Sequence, residues 1–268
     1  MTKELRGQVI AGTFFHAPRL GSVEILEDAL IAIDQAGSIA AITTRSDPQH
    51  GRLRKEAETQ GRLERLPRGS YGLPGFVDLH IHAPQYPQLG KALDCSLQEW
   101  LQRYTFPLEA RFADLAFARA VYSALVSDLA ANGTTTAVMY GTIHHDANRL
   151  LVDLCREKGL RALIGKVAMD NWDSCPENYR DASPDAALKG TQALVEYIRG
   201  GGQNAEALVL PVVTSFQAVR MRHWKSSQPS AAPAVATFRP TVRKATGSTA
   251  THSRDTAAPT PRVSTASV

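Results

Sequence analysis

The spacing of apolar and polar positions divides the chain into three regions with different patterns. In residues 1–72, short runs rich in β-branched, apolar and aromatic residues are separated by turn sequences. These runs are Gln8 to Phe15, Ala29 to Ile33 and Ile39 to Ile42, and Asp34 to Ser38 forms a turn before the last of them. We therefore predict a small β-domain over residues 1–72.

Residues 73–214 show strand-like and helix-like periodicity in alternation. The predicted strands are 76–82, 134–139, 161–167 and 207–213. The predicted helices are 97–104, 113–131, 146–158 and 184–199. Because such alternation is typical of parallel βα units, we predict an α/β fold with about four of the eight strands of a TIM-type (βα) barrel.

Residues 215–268 have a composition unlike the rest of the chain. They contain no Leu, Ile or Glu, and 31 of the 54 residues are Ser, Thr, Ala or Pro. A segment with so few large apolar residues cannot bury enough surface to offset the entropy of ordering, so we predict a disordered tail. One hypothesis for the abrupt change after Thr214 is a frameshifted or alternatively spliced reading of the gene.

The net charge of +4 is unevenly distributed along the 268 residues. The tail has eight basic residues against Asp255 alone, giving it +7, so residues 1–214 carry −3. The tail cations are spread out without interleaved stacking aromatics, and we predict no nucleic-acid partner. No apolar run approaches the length of a membrane span, and no apolar run follows the first charged residues, so we expect no membrane contact and a cytoplasmic location.

The predicted strand 76–82 carries the main candidate chemistry. Side chains alternate along a strand, so His80 and His82 share one face while Val77, Leu79 and Ile81 lie on the other, which we expect to pack beneath barrel helices. The two imidazoles then lie near the carboxyl end of the first barrel strand, where such barrels carry their chemistry. Two neutral imidazoles on one face can coordinate the same metal ion. The alternative is that they are a pair of ordinary surface histidines.

Other reactive side chains have simpler interpretations. Cys95, Cys155 and Cys175 are too few and too scattered for a disulfide framework and lack an activating neighbour, so we expect inert thiols in a reducing compartment. His144 and His145 follow a predicted strand, but adjacent residues on an extended chain point in opposite directions, and we favour a structural role for both.

Several strings in order connect the chain to a known family. They are Leu73-Pro74-Gly75-Phe76-Val77-Asp78-Leu79-His80-Ile81-His82-Ala83-Pro84-Gln85-Tyr86, Glu99-Trp100-Leu101, Tyr104 to Glu109, Arg111-Phe112, Asn132 to Ala137, Thr142-Ile143-His144 and Gly165 to Asp170. On these strings the chain resembles the guanine deaminases of the amidohydrolase superfamily, from about Gly12 to Thr214.

The resemblance implies a zinc enzyme of purine catabolism that hydrolyses guanine to xanthine and ammonia with activated water. It implies that His80 and His82 are metal ligands and that Gln85 hydrogen-bonds the purine. An amidohydrolase with another substrate is the alternative, and the strings around Gln85 and from Tyr104 to Phe112 argue against it.

The resemblance also implies site residues that have no counterpart in the sequence. The family takes a third ligand His and a nearby Glu for proton transfer from a later strand, then a further His and a metal-binding Asp. After Val213 the only histidines are His223 and His252, and no Glu follows. We therefore predict no general acid/base in the 268 residues, little activity of the chain alone, and either self-association or pairing with a full-length homologue.

Overall fold

The computed structural model describes residues 5–201 and the backbone of two further strands, Val209–Ser215 and Ala236–Thr237. These residues belong to a compact unit, Met1–Phe238, and a second unit, Arg239–Val268, lies outside the described residues. The predicted tail, residues 215–268, also lies outside the described residues, except for the strand residues just named. The boundaries predicted at residues 72 and 214 stay predictions.

The first sheet lies at the amino-terminal end of the chain. Its strands are β1 (Val9–His16), β2 (Glu24–Ile33), β3 (Ile39–Thr43) and β4 (Leu63–Arg65), and helix α1 (His50–Thr59) precedes β4. The strand order is β3-β2-β1-β4, with β4 parallel to β1 and the other pairs antiparallel. Val9, Ala11, Leu30 and Ala57 form its buried core, so α1 covers one face of this sheet.

The second sheet is parallel throughout. Its strands are β5 (Phe76–His82), β6 (Thr134–Tyr140), β7 (Arg161–Gly165), β8 (Val167–Ala168), β9 (Val209–Ser215) and β10 (Ala236–Thr237). The order is β10-β9-β7-β6-β5, with β8 paired to β9. This sheet and its helices confirm the predicted α/β fold with a partial sheet; closure into an eight-stranded barrel stays a prediction.

The helices lie between successive parallel strands. They are α2 (Leu97–Trp100), α3 (Phe106–Ala110), α4 (Leu115–Ala131), α5 (His145–Lys158) and α6 (Pro184–Gly200). The Asp114 carboxylate accepts the amides of the first turn of α4, and Ser183 does the same for α6. Gly159, with φ of 72°, ends α5 in the left-handed conformation that favours glycine.

The main core lies between the second sheet and α4, α5 and α6. Its fully buried side chains include Tyr122, Val126, Met139, Leu151, Ile164, Leu194 and Ile198. Burying this apolar surface is the principal stabilising contribution to the unit. It also fixes β5, β6 and β7 side by side, so that their carboxyl ends lie along one edge.

Two segments depart from the sequence predictions. The segment predicted as a helix over 97–104 is α2 followed by a π-helical turn at Leu101–Thr105, and α3 then begins. Pro107 explains the break, because its ring and missing N–H disrupt the regular hydrogen-bond pattern one turn earlier. Helix α1 and β4 were not predicted, because α1 is mostly polar and lacks apolar periodicity.

The outer face of β5 also differs from expectation. Val77 and Leu79, predicted to pack beneath helices, are 58% and 60% exposed in this structure. Among the described residues β5 has one strand neighbour, β6. None of the described helices is long and apolar enough to cross a membrane.

Candidate active site

The candidate site lies at the carboxyl ends of β5, β6 and β7. His82, the last residue of β5, is opposite Tyr140 at the end of β6, and Tyr140 is opposite Gly165 at the end of β7. These three strand ends are therefore in one row. This is the edge at which (βα) barrels place catalytic residues.

The two histidines of β5 are brought together as the sequence predicted. Their ring centroids are 5.0 Å apart. The β5–β6 register shifts between Asp78 and Ile81, and there the Asp78 carboxylate accepts the backbone N–H of His80 at 3.0 Å. Asp78 thus fixes the backbone of the irregular segment from which the first histidine projects.

Tyr140 packs against both imidazoles. Its ring is stacked on His82, with centroids 4.5 Å apart and planes 16° from parallel, and lies 5.0 Å from the ring of His80. Tyr140 is 1% exposed, and its buried hydroxyl has no hydrogen-bond partner among the described residues. Since the phenol ring contacts both histidines, it restricts their orientation.

Burial sets the protonation state of His82. Its removal from water, and secondarily the neighbouring His80, lower the pKa of His82 to about 4. The ring is therefore neutral at physiological pH, which is the form that binds metal ions. Within residues 5–201, no group of three or more His, Cys, Asp or Glu side chains forms a metal cluster. The histidine pair fits part of a metal site.

Gln85 lies in the 3₁₀ turn Ala83–Gln88 directly after β5. Its amide nitrogen donates to Oε1 of Glu109 at 2.8 Å, and the hydroxyl of Tyr179 donates to Oε2 of Glu109 at 2.5 Å. Glu109 is only 1% exposed. Burial raises the pKa of Glu109 to about 7, although both hydrogen bonds act in the opposite direction.

The loop after β6 is fixed by Asn148 in the first turn of α5. Its side chain accepts the N–H of Thr142 at 2.8 Å and donates to the carbonyl of Thr142 at 2.9 Å. Gly141 leaves room for this contact, because a Cβ there would lie 2.1 Å from Oδ1 of Asn148. Buried ring nitrogens of His144 and His145 have no hydrogen-bond partner in this part of the structure.

The loop after β8 is held by a buried ion pair. Lys166 Nζ lies 2.7 Å from Oδ1 of Asp181, and Oδ2 of Asp181 accepts the N–H of Met169 at 2.8 Å. Both side chains are almost entirely buried. The carboxylate therefore ties the end of this loop to its beginning and holds Tyr179 close to Glu109.

Sequence reasoning found part of this arrangement. It selected His80, His82 and Gln85, and the structure brings the two histidines together and places Gln85 in the next turn. It missed Tyr140 and the buried acceptor Glu109. Glu109 stands within one of the strings that suggested the family, and that position was the available signal.

A comparison with protein families identifies the class of protein. Residues 71–215 match the model of the amidohydrolase family, and this stretch includes the parallel sheet from β5 to β9 and the histidine pair. The chain belongs to the amidohydrolase family. Membership implies a metal-dependent site.

The particular relatives within this class are guanine deaminases. The chain is 36% identical over 215 residues to guanine deaminase of Dictyostelium discoideum, covering 77% of this chain and 46% of the relative. It is 37% identical over 207 residues to that of Homo sapiens, covering 77% and 44%. The chain thus spans a little under half the length of these curated relatives.

Solved structures that are similar to this chain also include guanine deaminases. Guanine deaminase from C. acetobutylicum, with guanine bound in its active site, superposes with a TM-score of 0.66 at 27% identity, covering 78% of this chain and 46% of that one. E. coli guanine deaminase gives a TM-score of 0.62 at 27% identity, covering 76% and 45%.

Proposed function

We propose that this chain provides the amino-terminal part of a guanine deaminase active site, which hydrolyses guanine to xanthine and ammonia. The observation that carries the proposal is the pair of imidazoles held together at the end of β5, with Gln85 in the next turn. The similarity to guanine deaminases extends over most of the chain and supports this choice of substrate.

In this proposal His80 and His82 hold a zinc ion together with ligands that the 268-residue sequence does not supply. Zinc bound there would supply a water molecule activated for attack at neutral pH. The low pKa of His82 means that protons do not compete for its ring at neutral pH. Gln85 contributes a hydrogen bond to the purine, since an amide can match either a donor or an acceptor on a base edge.

We also propose that the 268-residue chain alone turns over little or no guanine. Two protein ligands hold zinc more weakly than three or four, and the sequence has no Glu after Thr214 to transfer protons as the family's Glu does. The cytoplasmic location belongs to the same proposal and rests on sequence composition alone.

Zinc binding by the purified chain tests the ligand assignment. We expect His80→Ala and His82→Ala each to weaken zinc affinity by about ten-fold or more in titration calorimetry. The matched control is His16→Ala, because His16 is an exposed histidine on β1 and should leave the affinity unchanged. Equal affinity in all three variants would contradict the assignment.

Guanine turnover tests the second part of the proposal. With zinc supplied, we expect xanthine formation by the purified chain to be no greater than that by His80→Ala. Turnover that His80→Ala abolishes would show that the chain forms a complete site, for example by joining two copies. Turnover that survives His80→Ala would contradict the metal-dependent role of this histidine.

A non-catalytic role is a second candidate, favoured by the exposed apolar side chains of β5. In this case the chain pairs with a full-length guanine deaminase subunit and alters its assembly or abundance. Co-purification of the two chains from a co-expressing cell would support this role. Independent elution of the chain and of full-length enzyme activity would contradict it.

A further inference from the structure

The side chain of Gln85 has two chemically different ends, and its neighbours decide which end a ligand meets. An amide presents a hydrogen-bond acceptor at its oxygen and two donors at its nitrogen. An ionised carboxylate, in contrast, only accepts hydrogen bonds. A carboxylate beside the amide therefore holds the nitrogen and turns the oxygen away.

Above its pKa of about 7, Glu109 is ionised and is such a neighbour, and both of its oxygens have donors. Oε1 accepts from the Gln85 amide nitrogen at 2.8 Å, and Oε2 accepts from the Tyr179 hydroxyl at 2.5 Å. The second bond matters because it restricts rotation of the carboxyl group about its own axis. A rotated Glu109 would lose the Tyr179 hydrogen bond as well as the bond to Gln85.

The surroundings make the opposite amide orientation costly. Glu109 is 1% exposed and Tyr179 is fully buried. The Tyr179 ring packs 6.0 Å from the ring of Phe106, which lies on the same helix as Glu109. If the Gln85 amide were reversed, its oxygen would face the Glu109 oxygen, and the buried carboxylate would lose a donor.

We propose that Glu109 and Tyr179 are positioning residues that fix the Gln85 amide with its oxygen toward the purine, so that the site selects a base edge with a hydrogen-bond donor. This inference rests on the proposed function, because it takes Gln85 as a purine contact. Both bases carry an exocyclic amine, but they differ at N1, which is an N–H donor in guanine and an acceptor in adenine, and the proposed contact of the Gln85 oxygen is with this position. The fixed oxygen therefore favours guanine-type edges over adenine-type edges.

The orientation can be tested in the unmodified chain by NMR. With ¹⁵N-labelled glutamine and at pH 8, we expect the Gln85 side-chain NH₂ group to exchange slowly with water, as should that of buried Gln88, which donates to Thr105 Oγ1. The Gln85 signal should be absent in Gln85→Ala. A Gln85 NH₂ group that exchanges as fast as those of exposed glutamines would overturn the proposal without any need for a folded Glu109 variant.

The selectivity requires variants of the orienting residues. Glu109→Gln keeps the shape but can present either a donor or an acceptor, so it permits both amide orientations. We expect the ratio of guanine to adenine affinity, measured at pH 8 by ligand-observed NMR with zinc present, to fall about ten-fold. Tyr179→Phe removes only the second bond and should lower the ratio less. If these residues had a merely structural role, their substitution would weaken the binding of both bases equally. An unchanged affinity ratio would therefore overturn the proposal.

These experiments distinguish an error in the purine contact of Gln85 from an error in the positioning role of Glu109. If Gln85→Ala leaves guanine affinity unchanged, the proposed role of Gln85 in guanine binding is wrong; the exchange measurement needs no bound base and still decides whether Glu109 fixes the amide. If Gln85→Ala weakens guanine binding but Glu109→Gln keeps the selectivity, the purine contact stands and the positioning role is wrong.

Discussion

At the scale of single residues, Tyr140 is the side chain that organises the histidine pair. Its ring contacts both imidazoles and is stacked on that of His82. We expect Tyr140→Leu to weaken zinc binding by about ten-fold, as loss of an outer contact to a ligand commonly does. Titration calorimetry of the purified chain measures this.

Tyr140→Phe is the matched control for the ring. The Tyr140 hydroxyl is buried without a partner among the described residues, so removing it forfeits no protein hydrogen bond there. The phenylalanine variant should therefore bind zinc within about two-fold of the original and should unfold at no lower urea concentration. Equal zinc affinity in Tyr140→Leu would show that the stacking does not orient the ligands.

Glu109 should make the stability of the chain depend on pH. It is surrounded by Gln85, Tyr122 and Tyr179, and burial raises its pKa from 4.5 to about 7. The folded state therefore binds a proton more tightly than the unfolded state, and stability falls as pH rises from about 4.5 through 7. The free energy of unfolding falls by about 3 kcal/mol over this range, because each unit of the pKa difference between 4.5 and about 7 corresponds to about 1.4 kcal/mol.

Urea denaturation at pH 5 and pH 8 measures this effect. The free energy of unfolding should decrease between these values in the original chain by more than in Glu109→Gln, which does not titrate. Glu58→Gln, at an exposed ion pair with Arg65, should retain the original pH dependence. Parallel pH profiles for the original chain and Glu109→Gln would refute the prediction.

At the scale of secondary-structure elements, Asn148 joins the end of β6 to the start of α5. Its side chain satisfies both backbone groups of Thr142 in a fully buried position. Asn148→Ala should leave these groups without partners and lower the free energy of unfolding by about 3 kcal/mol. Asn132→Ala, at the exposed end of α4, loses one hydrogen bond to Asp128 and should cost less than about 1 kcal/mol.

The strands of the parallel sheet could be predicted because their signals are local. Strand β5 begins and ends where the sequence indicated, after Pro74-Gly75 and before Ala83-Pro84. Strand β6 follows Asn132-Gly133, with β-branched residues at its start. In each case the turn residues and the β-propensity indicate the same strand, and the tertiary contacts favour that strand too.

Other features could not be predicted because they depend on contacts distant in sequence. Glu109 bonds to residues 24 and 70 positions away, and no local pattern encodes such a meeting. Helix α1 buries little besides His50 and Ala57, so it has no apolar stripe to detect. The histidine pair was found because both histidines lie on one strand, whereas Tyr140, which orients them, comes from β6.

At the scale of the whole molecule, the exposed face of β5 should govern association. Val77 and Leu79, which share this face, are each more than half exposed. Exposed apolar groups on a strand that has one strand neighbour within the described part of the chain favour contact between chains. In light-scattering chromatography we expect a mass above the 29.1 kDa of one chain, shifted toward that value in the Val77→Thr, Leu79→Thr double variant.

A control variant separates this face from general surface hydrophobicity. Leu93 is 80% exposed but lies outside β5, so Leu93→Thr should leave the measured mass unchanged. A chain that runs at 29.1 kDa without any substitution would show that the face of β5 does not drive association.

The three-part contact of Gln85, Glu109 and Tyr179 has a consequence for the stage of synthesis at which the proposed selectivity can arise. Gln85 emerges from the ribosome first, and Tyr179 follows Glu109 by 70 residues. At about 5–20 residues per second, several seconds separate them. A nascent chain in that interval already has the Gln85 amide but lacks the complete set of bonds that orients it, so the proposed discrimination between bases requires the loop after β8.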